Sequence, residues 1–193
     1  MARYSEPEIE SVNIEQSEIA RLSGSQIPRI DLRPAIGKGE IVQSELVDSI
    51  CFVPLETTRG SIFGGISKIV CSGDRILIKD DDGNLLIFGS DGKFVSKSKK
   101  GNGPGEINKL WDIAFDEQQQ RVIAFQSDRL IFYDKDGNYI ETQKCPIGFS
   151  EMMPTQWGYV LFQDQYVNFH LGREADYSIL LAGKDFSVFA KGG

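Results

Sequence analysis

Leu85-Leu86-Ile87-Phe88, followed by Asp91-Gly92-Lys93-Phe94, returns 45 residues later as Leu130-Ile131-Phe132-Tyr133, followed by Asp136-Gly137-Asn138-Tyr139. The run just upstream repeats as well: Arg75-Ile76-Leu77-Ile78 comes back as Arg121-Val122-Ile123-Ala124, displaced by 46. A repeat of this length, written in short β-rich runs instead of helical periods, predicts an all-β chain of propeller blades. The two Asp-Gly pairs supply the positive-φ residues that tight hairpins need. The near-continuous apolar runs before them fit strands buried on both faces, between neighbouring blades.

Working outward, strands and turn signals alternate at regular intervals. One four-stranded unit is expected over residues 66–98, with strands at 66–71, 75–79, 85–88 and 94–98. A second spans 110–144, with strands at 110–115, 121–125, 130–133 and 139–144. A third, less regular, spans 149–190. Between its second and third strands, residues 164–176 insert Tyr166, Phe169, His170, Arg173 and Glu174 where the other units have short turns. Ahead of the blades, residues 1–25 are a polar, weakly ordered lead-in with room for a short helix near 14–22, and the propeller part is placed at 26–193. Residues 27–32 alternate as a short strand, and residues 50–55 form an apolar strand candidate ending at a proline.

The chain has 193 residues, enough for one domain with a substantial core. Its 28 acidic against 21 basic side chains give a net charge of −7, which argues against a nucleic-acid partner. No uninterrupted apolar run is long enough for a membrane-spanning helix. The polar, acidic start lacks the basic and apolar regions of a signal peptide. Cys51, Cys71 and Cys145 show neither metal-ligand spacing nor a disulfide framework. Cys51 and Cys71 lie in apolar strand-like runs, which predicts buried free thiols.

Motifs for chemistry are few. Gly101-Asn102-Gly103-Pro104-Gly105-Glu106 is glycine-rich, yet no Lys-Ser or Lys-Thr follows and no βαβ context surrounds it, so it reads as an inter-blade loop. Asp80-Asp81-Asp82-Gly83-Asn84 lacks the sixth-position glycine and twelfth-position glutamate of a helical calcium loop, and reads as a hairpin turn. Trp111-Asp112 occurs once and opens a first strand, unlike the repeated dipeptide of WD40 blades. His170 stands alone, which leaves no Ser-His-Asp triad or histidine-rich metal site.

Taken together, Val53-Pro54-Leu55-Glu56-Thr57-Thr58, Ile66-Ser67-Lys68-Ile69 and the Gly-Asn-Gly-Pro-Gly-Glu loop resemble the exported bacterial six-bladed β-propeller proteins of the NHL and TolB-like kind. The resemblance runs through residues 40–145 and more loosely through 146–193. It implies six blades, of which this sequence holds about three, with residues 50–55 as the strand that closes the ring on the last blade. An open half-ring exposes blade faces and strand edges, so association through them is expected. The resemblance also implies export to the cell envelope or periplasm, often as a lipoprotein.

The function expected is a non-catalytic binding or scaffold propeller that presents upper-face loops to a protein, peptide or glycan, without a cofactor. The alternative is a calcium-dependent lactonase or esterase-like hydrolase with its site in the central channel, where Asp112 and Glu151 are the plausible inward carboxylates. Strand direction reverses at each hairpin, so loops before the first strands and between second and third strands should share one face. That topology selects Arg59, Asn102, Glu106, Trp111, Tyr166 and Arg173 as ligand-binding candidates, while the Asp91-Gly92 and Asp136-Gly137 turns lie opposite.

Overall fold

The structure, a computed structural model, describes residues 47–163 and 177–192. Contacts divide the chain into residues 1–48 with Gly192 and residues 49–191 with Gly193; the account below concerns the second unit. Blade 1 comprises β1 (Ile66–Ser72), β2 (Arg75–Asp80), β3 (Leu85–Gly89) and β4 (Phe94–Lys97). Blade 2 comprises β5 (Asp112–Asp116), β6 (Arg121–Gln126), β7 (Arg129–Asp134) and β8 (Tyr139–Lys144). Blade 3 comprises β9 (Glu151–Pro154), β10 (Gly158–Phe162), β11 (Ile179–Gly183) and β12 (Val188–Gly192). Each is a four-stranded antiparallel sheet in sequence order, and the described residues contain no helix. The described residues form a propeller-like fold with three blades.

The expected lead-in, its helix, the strand at 27–32 and the insertion at 164–176 lie outside the described residues. Residues 50–55, expected as a strand, join no ladder. Instead the chain here is held at single points. Glu56 N–H donates to the Gly92 carbonyl at 2.8 Å, and Phe94 N–H donates to the Glu56 carboxylate at 2.8 Å. Gly92, with φ of +82°, is pressed so closely on the Pro54 carbonyl that a Cβ would collide with it. Only glycine meets both conditions at no cost.

Two apolar layers separate the three blades. Between blades 1 and 2 lie Leu77, Leu85 and Ile87 from one side, and Val122, Ala124, Ile131 and Tyr133 from the other. Between blades 2 and 3, Ile123, Phe125, Leu130 and Phe132 meet Met152, Tyr159, Leu161, Leu180 and Ala182. Phe88, Phe125 and Phe132 are among the largest side chains fully removed from water. Arg121 spreads its guanidinium over the Phe132 ring at 4.0 Å, a cation–π contact that caps the layer.

Burial of two cysteines is corrected by the structure. Cys145 is buried, but Cys51 and Cys71 are exposed. Cys51 precedes blade 1 in the unpaired segment. Cys71 shares with Ile69 the face of β1 turned away from blade 2, where no described blade packs. An apolar neighbourhood along the strand does not bury a residue whose face has no opposing sheet.

Candidate functional site

The loops before first strands and the turns between second and third strands are stitched along one end of the blades. Asp81 N–H donates to the Gly65 carbonyl at 3.2 Å, and Leu110 N–H to the Gly83 carbonyl at 3.3 Å. Lys100 Nζ donates to the carbonyls of Asp82 and Asn108 at 2.8 and 3.0 Å. Asn108 N–H reaches Gln126 Oε1 at 2.6 Å, and Cys145 N–H reaches the Asp128 carbonyl at 2.7 Å. At the opposite end, Arg75 pairs with Asp74 and Asp136 at 2.7 and 2.5 Å, and Lys135 with Asp74 at 3.0 Å. Its hydrogen bond from Lys135 is the leading cause that lowers the Asp74 carboxyl below the usual range.

Three candidate residues, Asn102, Glu106 and Trp111, lie in the segment between β4 and β5. Trp111 is 46% exposed. Its ring sits edge-on to Phe125, centroids 5.4 Å apart, and Phe125 stacks on Phe149 at 3.9 Å. The indole is therefore fixed from below by core aromatics while one side meets solvent. Asn102 is exposed, and its Oδ1 accepts from the Asn108 amide. Glu106 is half-buried and turned inward: its Oε2 accepts Gly103 N–H at 2.9 Å. Through that oxygen it holds the glycine loop in shape. Gly105, with φ of +71°, lies 2.7 Å from Tyr139 Cβ as a Cβ would measure it, and its carbonyl takes the Tyr133 hydroxyl at 2.9 Å.

Arg59 does not join them. The turn that carries it is closed by Ser61 Oγ donating to the Glu56 carbonyl at 2.7 Å, and Glu56 sits on the β3–β4 turn at the far end of blade 1. The chain reaches the rim only at Gly65. Tyr166 and Arg173 lie outside the described residues.

Sequence reasoning missed Lys68. It stands on β1, and its Nζ lies 2.6 Å from Asp112 Oδ1 on β5. Asp112 Oδ2 accepts the Met152 N–H of β9 at 2.8 Å. One buried carboxylate thus ties the first strands of all three blades. Burial pushes its carboxyl above the ordinary value, and the Lys68 ammonium pulls against that. A calcium ion does not fit this carboxylate, because both oxygens are engaged and a cation already sits beside it. Among the described residues no group of three or more His, Cys, Asp or Glu could hold a metal. Lys68 carried one signal in the sequence: it is the basic residue on the first strand of a blade whose neighbour begins with an acid.

Comparison with solved structures gives a candidate exported protein of Bacteroides fragilis at 21% identity, with a TM-score of 0.64 over 74% of this chain and 41% of that one. The Neurospora crassa Pan2 WD40 domain matches at 6% identity and a TM-score of 0.46, over 65% of this chain and 35% of that one. The RRP9 WD40 repeats match at 9% and 0.46, over 72% and 40%. The chain spans less than half the length of each. Among curated proteins no match is found. The sequence profile of a domain of unknown function, DUF4934, matches residues 27–191, and the chain belongs to that family.

Proposed function

We propose that the chain is part of a non-catalytic binding propeller of the exported, six-bladed NHL or TolB-like kind, and that the rim around Trp111 meets a glycan, peptide or protein. The supporting observation is Trp111 itself. A large ring that is half in water, yet locked edge-on to a buried phenylalanine, has lost little freedom to give up on binding. The Asn102 and Asn108 amides, bonded to each other in the same β4–β5 segment, supply donors and acceptors of the kind that orient a polar ligand. Arg173 and Tyr166 lie outside the described residues, and are of the types found at binding surfaces.

The hydrolase alternative draws less support, because Asp112 is committed to Lys68 and to a backbone N–H. Adding calcium should leave the melting temperature unchanged; a rise would revive that reading, since a ligand bound only by the folded state must raise it. The binding reading is tested by probing a mixed array of glycans and peptides with the wild-type protein, Trp111→Ala and Asn102→Ala. At least one array feature should be bound by the wild type and lost in Trp111→Ala. A bound feature that survives both substitutions would move the site elsewhere, and an array left entirely dark would remove the support for a glycan or peptide ligand.

A further inference from the structure

Asn102-Gly103 is the one Asn-Gly pair in the sequence. Such a pair is open to attack from within. With no side chain on the glycine, its backbone nitrogen has an unhindered path to the asparagine side-chain carbonyl carbon. Attack forms the bond from Gly103 N to Asn102 Cγ, the Cγ–Nδ2 bond breaks, and ammonia leaves with the amide proton. Water then opens the cyclic succinimide at either carbonyl, which leaves aspartate or isoaspartate at position 102. Asn102 is exposed, so water reaches it and ammonia escapes.

The fold engages both reacting groups. Gly103 N–H donates to Glu106 Oε2 at 2.9 Å. The reaction needs that nitrogen to give up its proton and turn its lone pair on Cγ. A carboxylate that accepts the proton favours the neutral amide, and its negative charge opposes the anion forming on nitrogen. The Asn102 side chain is anchored as well, its Oδ1 accepting from the Asn108 amide. That bond limits the rotation that brings Cγ onto the Gly103 nitrogen.

Glu106 is built into this place. A Cβ on Gly101 would collide with Glu106 Oε2, and one on Gly103 would lie 3.0 Å from it, so the carboxylate fits because neither residue carries a side chain. The glycine that admits the carboxylate is thus the one that leaves Asn102 vulnerable. Backbone bonds keep the turn closed: Glu106 N–H donates to the Gly103 carbonyl at 3.0 Å, and Ile107 N–H to the Lys99 carbonyl at 2.8 Å.

We propose that Glu106 guards the Asn102-Gly103 bond. Its carboxylate holds off succinimide formation, and conversion of Asn102 to aspartate or isoaspartate is confined to moments when the glycine loop opens. The inference does not depend on what the rim binds.

The test follows residue 102 by peptide mapping and mass spectrometry while the 193-residue protein is kept in mildly alkaline buffer, either folded or unfolded in guanidinium chloride. The mass gained when an amide becomes an acid separates this reaction from isomerisation at the Asp-Gly pairs. Conversion in the folded wild type should be at least about tenfold slower than in the unfolded chain, the factor expected when a hydrogen bond to a charged group must open first. Glu106→Gln keeps an acceptor of the same size without the charge, and should speed conversion in the folded state severalfold. Glu106→Ala removes acceptor and charge together, and should bring the rate close to that of the unfolded chain. Circular dichroism confirms that each variant is read while folded, and the conservative glutamine carries the test if alanine unfolds the protein. A folded wild type that converts as fast as the unfolded chain would overturn the proposal. So would rates unchanged by the Glu106 substitutions, which would assign the protection to loop rigidity alone. Slower conversion in Glu106→Gln would overturn it too, by making the carboxylate the base that promotes attack.

Discussion

Replacing Lys68 by methionine leaves the Asp112 carboxylate in place with 2% of its side chain exposed and only backbone N–H groups, of Met152 and Ile113, to meet it. Breaking a buried ion pair from one side typically costs about 3–5 kcal/mol, because the surviving charge is stranded away from water. A ceiling follows from protonation: at pH 7 a carboxyl can shed its charge for about 1.36 kcal/mol per unit above its ordinary value near 3.9, or ~4 kcal/mol in all. Lys68 is itself 27% exposed, so water takes over part of its role, and the expected loss is about 2–4 kcal/mol. Asp112→Asn behaves differently. The amide oxygen still accepts from Met152, the buried charge is gone, and the Lys68 ammonium left behind is 27% exposed and keeps water, so the expected change is within about 1 kcal/mol of zero.

The pH dependence separates the two variants. Burial raises the Asp112 carboxyl, so between its ordinary and its folded value the native state binds more protons than the unfolded chain. Stability from this group therefore grows as pH falls through the folded value and is lost as pH rises through it. The Lys68→Met penalty should shrink to ~1 kcal/mol near pH 4.5, where protonation is nearly free. Urea unfolding at both pH values, followed by the fluorescence of Trp111 beside Asp112, measures all of this at fixed protein concentration. A Lys68→Met penalty below about 1 kcal/mol at pH 7, or one equal at the two pH values, would refute the reasoning.

Other expectations follow from the same contacts. Gly92→Ala should destabilise the blade by at least ~1–2 kcal/mol by urea unfolding, because φ of +82° is strained for alanine and the new Cβ meets the Pro54 carbonyl. Phe132→Ala should cost about 3–5 kcal/mol, since it empties a fully buried site between blades and removes the ring under Arg121. Cys51 should react at once with an aromatic disulfide reagent, while Cys145, buried with its thiol pushed up to about 11, should react only as the protein unfolds. Equal rates for the two would contradict the packing around Cys145.

The repeat made the blades legible because hairpins are local. Tyr139–Lys144 is the strand expected at 139–144, and the other strands of blades 1 and 2 fall within a few residues of their expected places. Alternation, Asp-Gly turns and the 45-residue displacement all act within a single unit of chain. The rim was partly legible for the same reason, since hairpin reversal alone puts the Trp111 loop with the β2–β3 turn. Arg59 was misplaced because residues 50–61 follow no ladder, so no strand period fixed where along blade 1 they would lie.

What the sequence determined by itself is the number and order of the strands within each described blade, since each pairs with its neighbour in sequence and side chains alternate with period two. Only the tertiary structure decided what lies between blades. Lys68 finds Asp112 across 44 residues, Asp112 finds Met152 across 40, and Cys71 stays in water although its strand is apolar. Those outcomes depend on how one twisted sheet stacks on the next, and on whether a sheet is there to stack at all. No pattern confined to one strand carries that information.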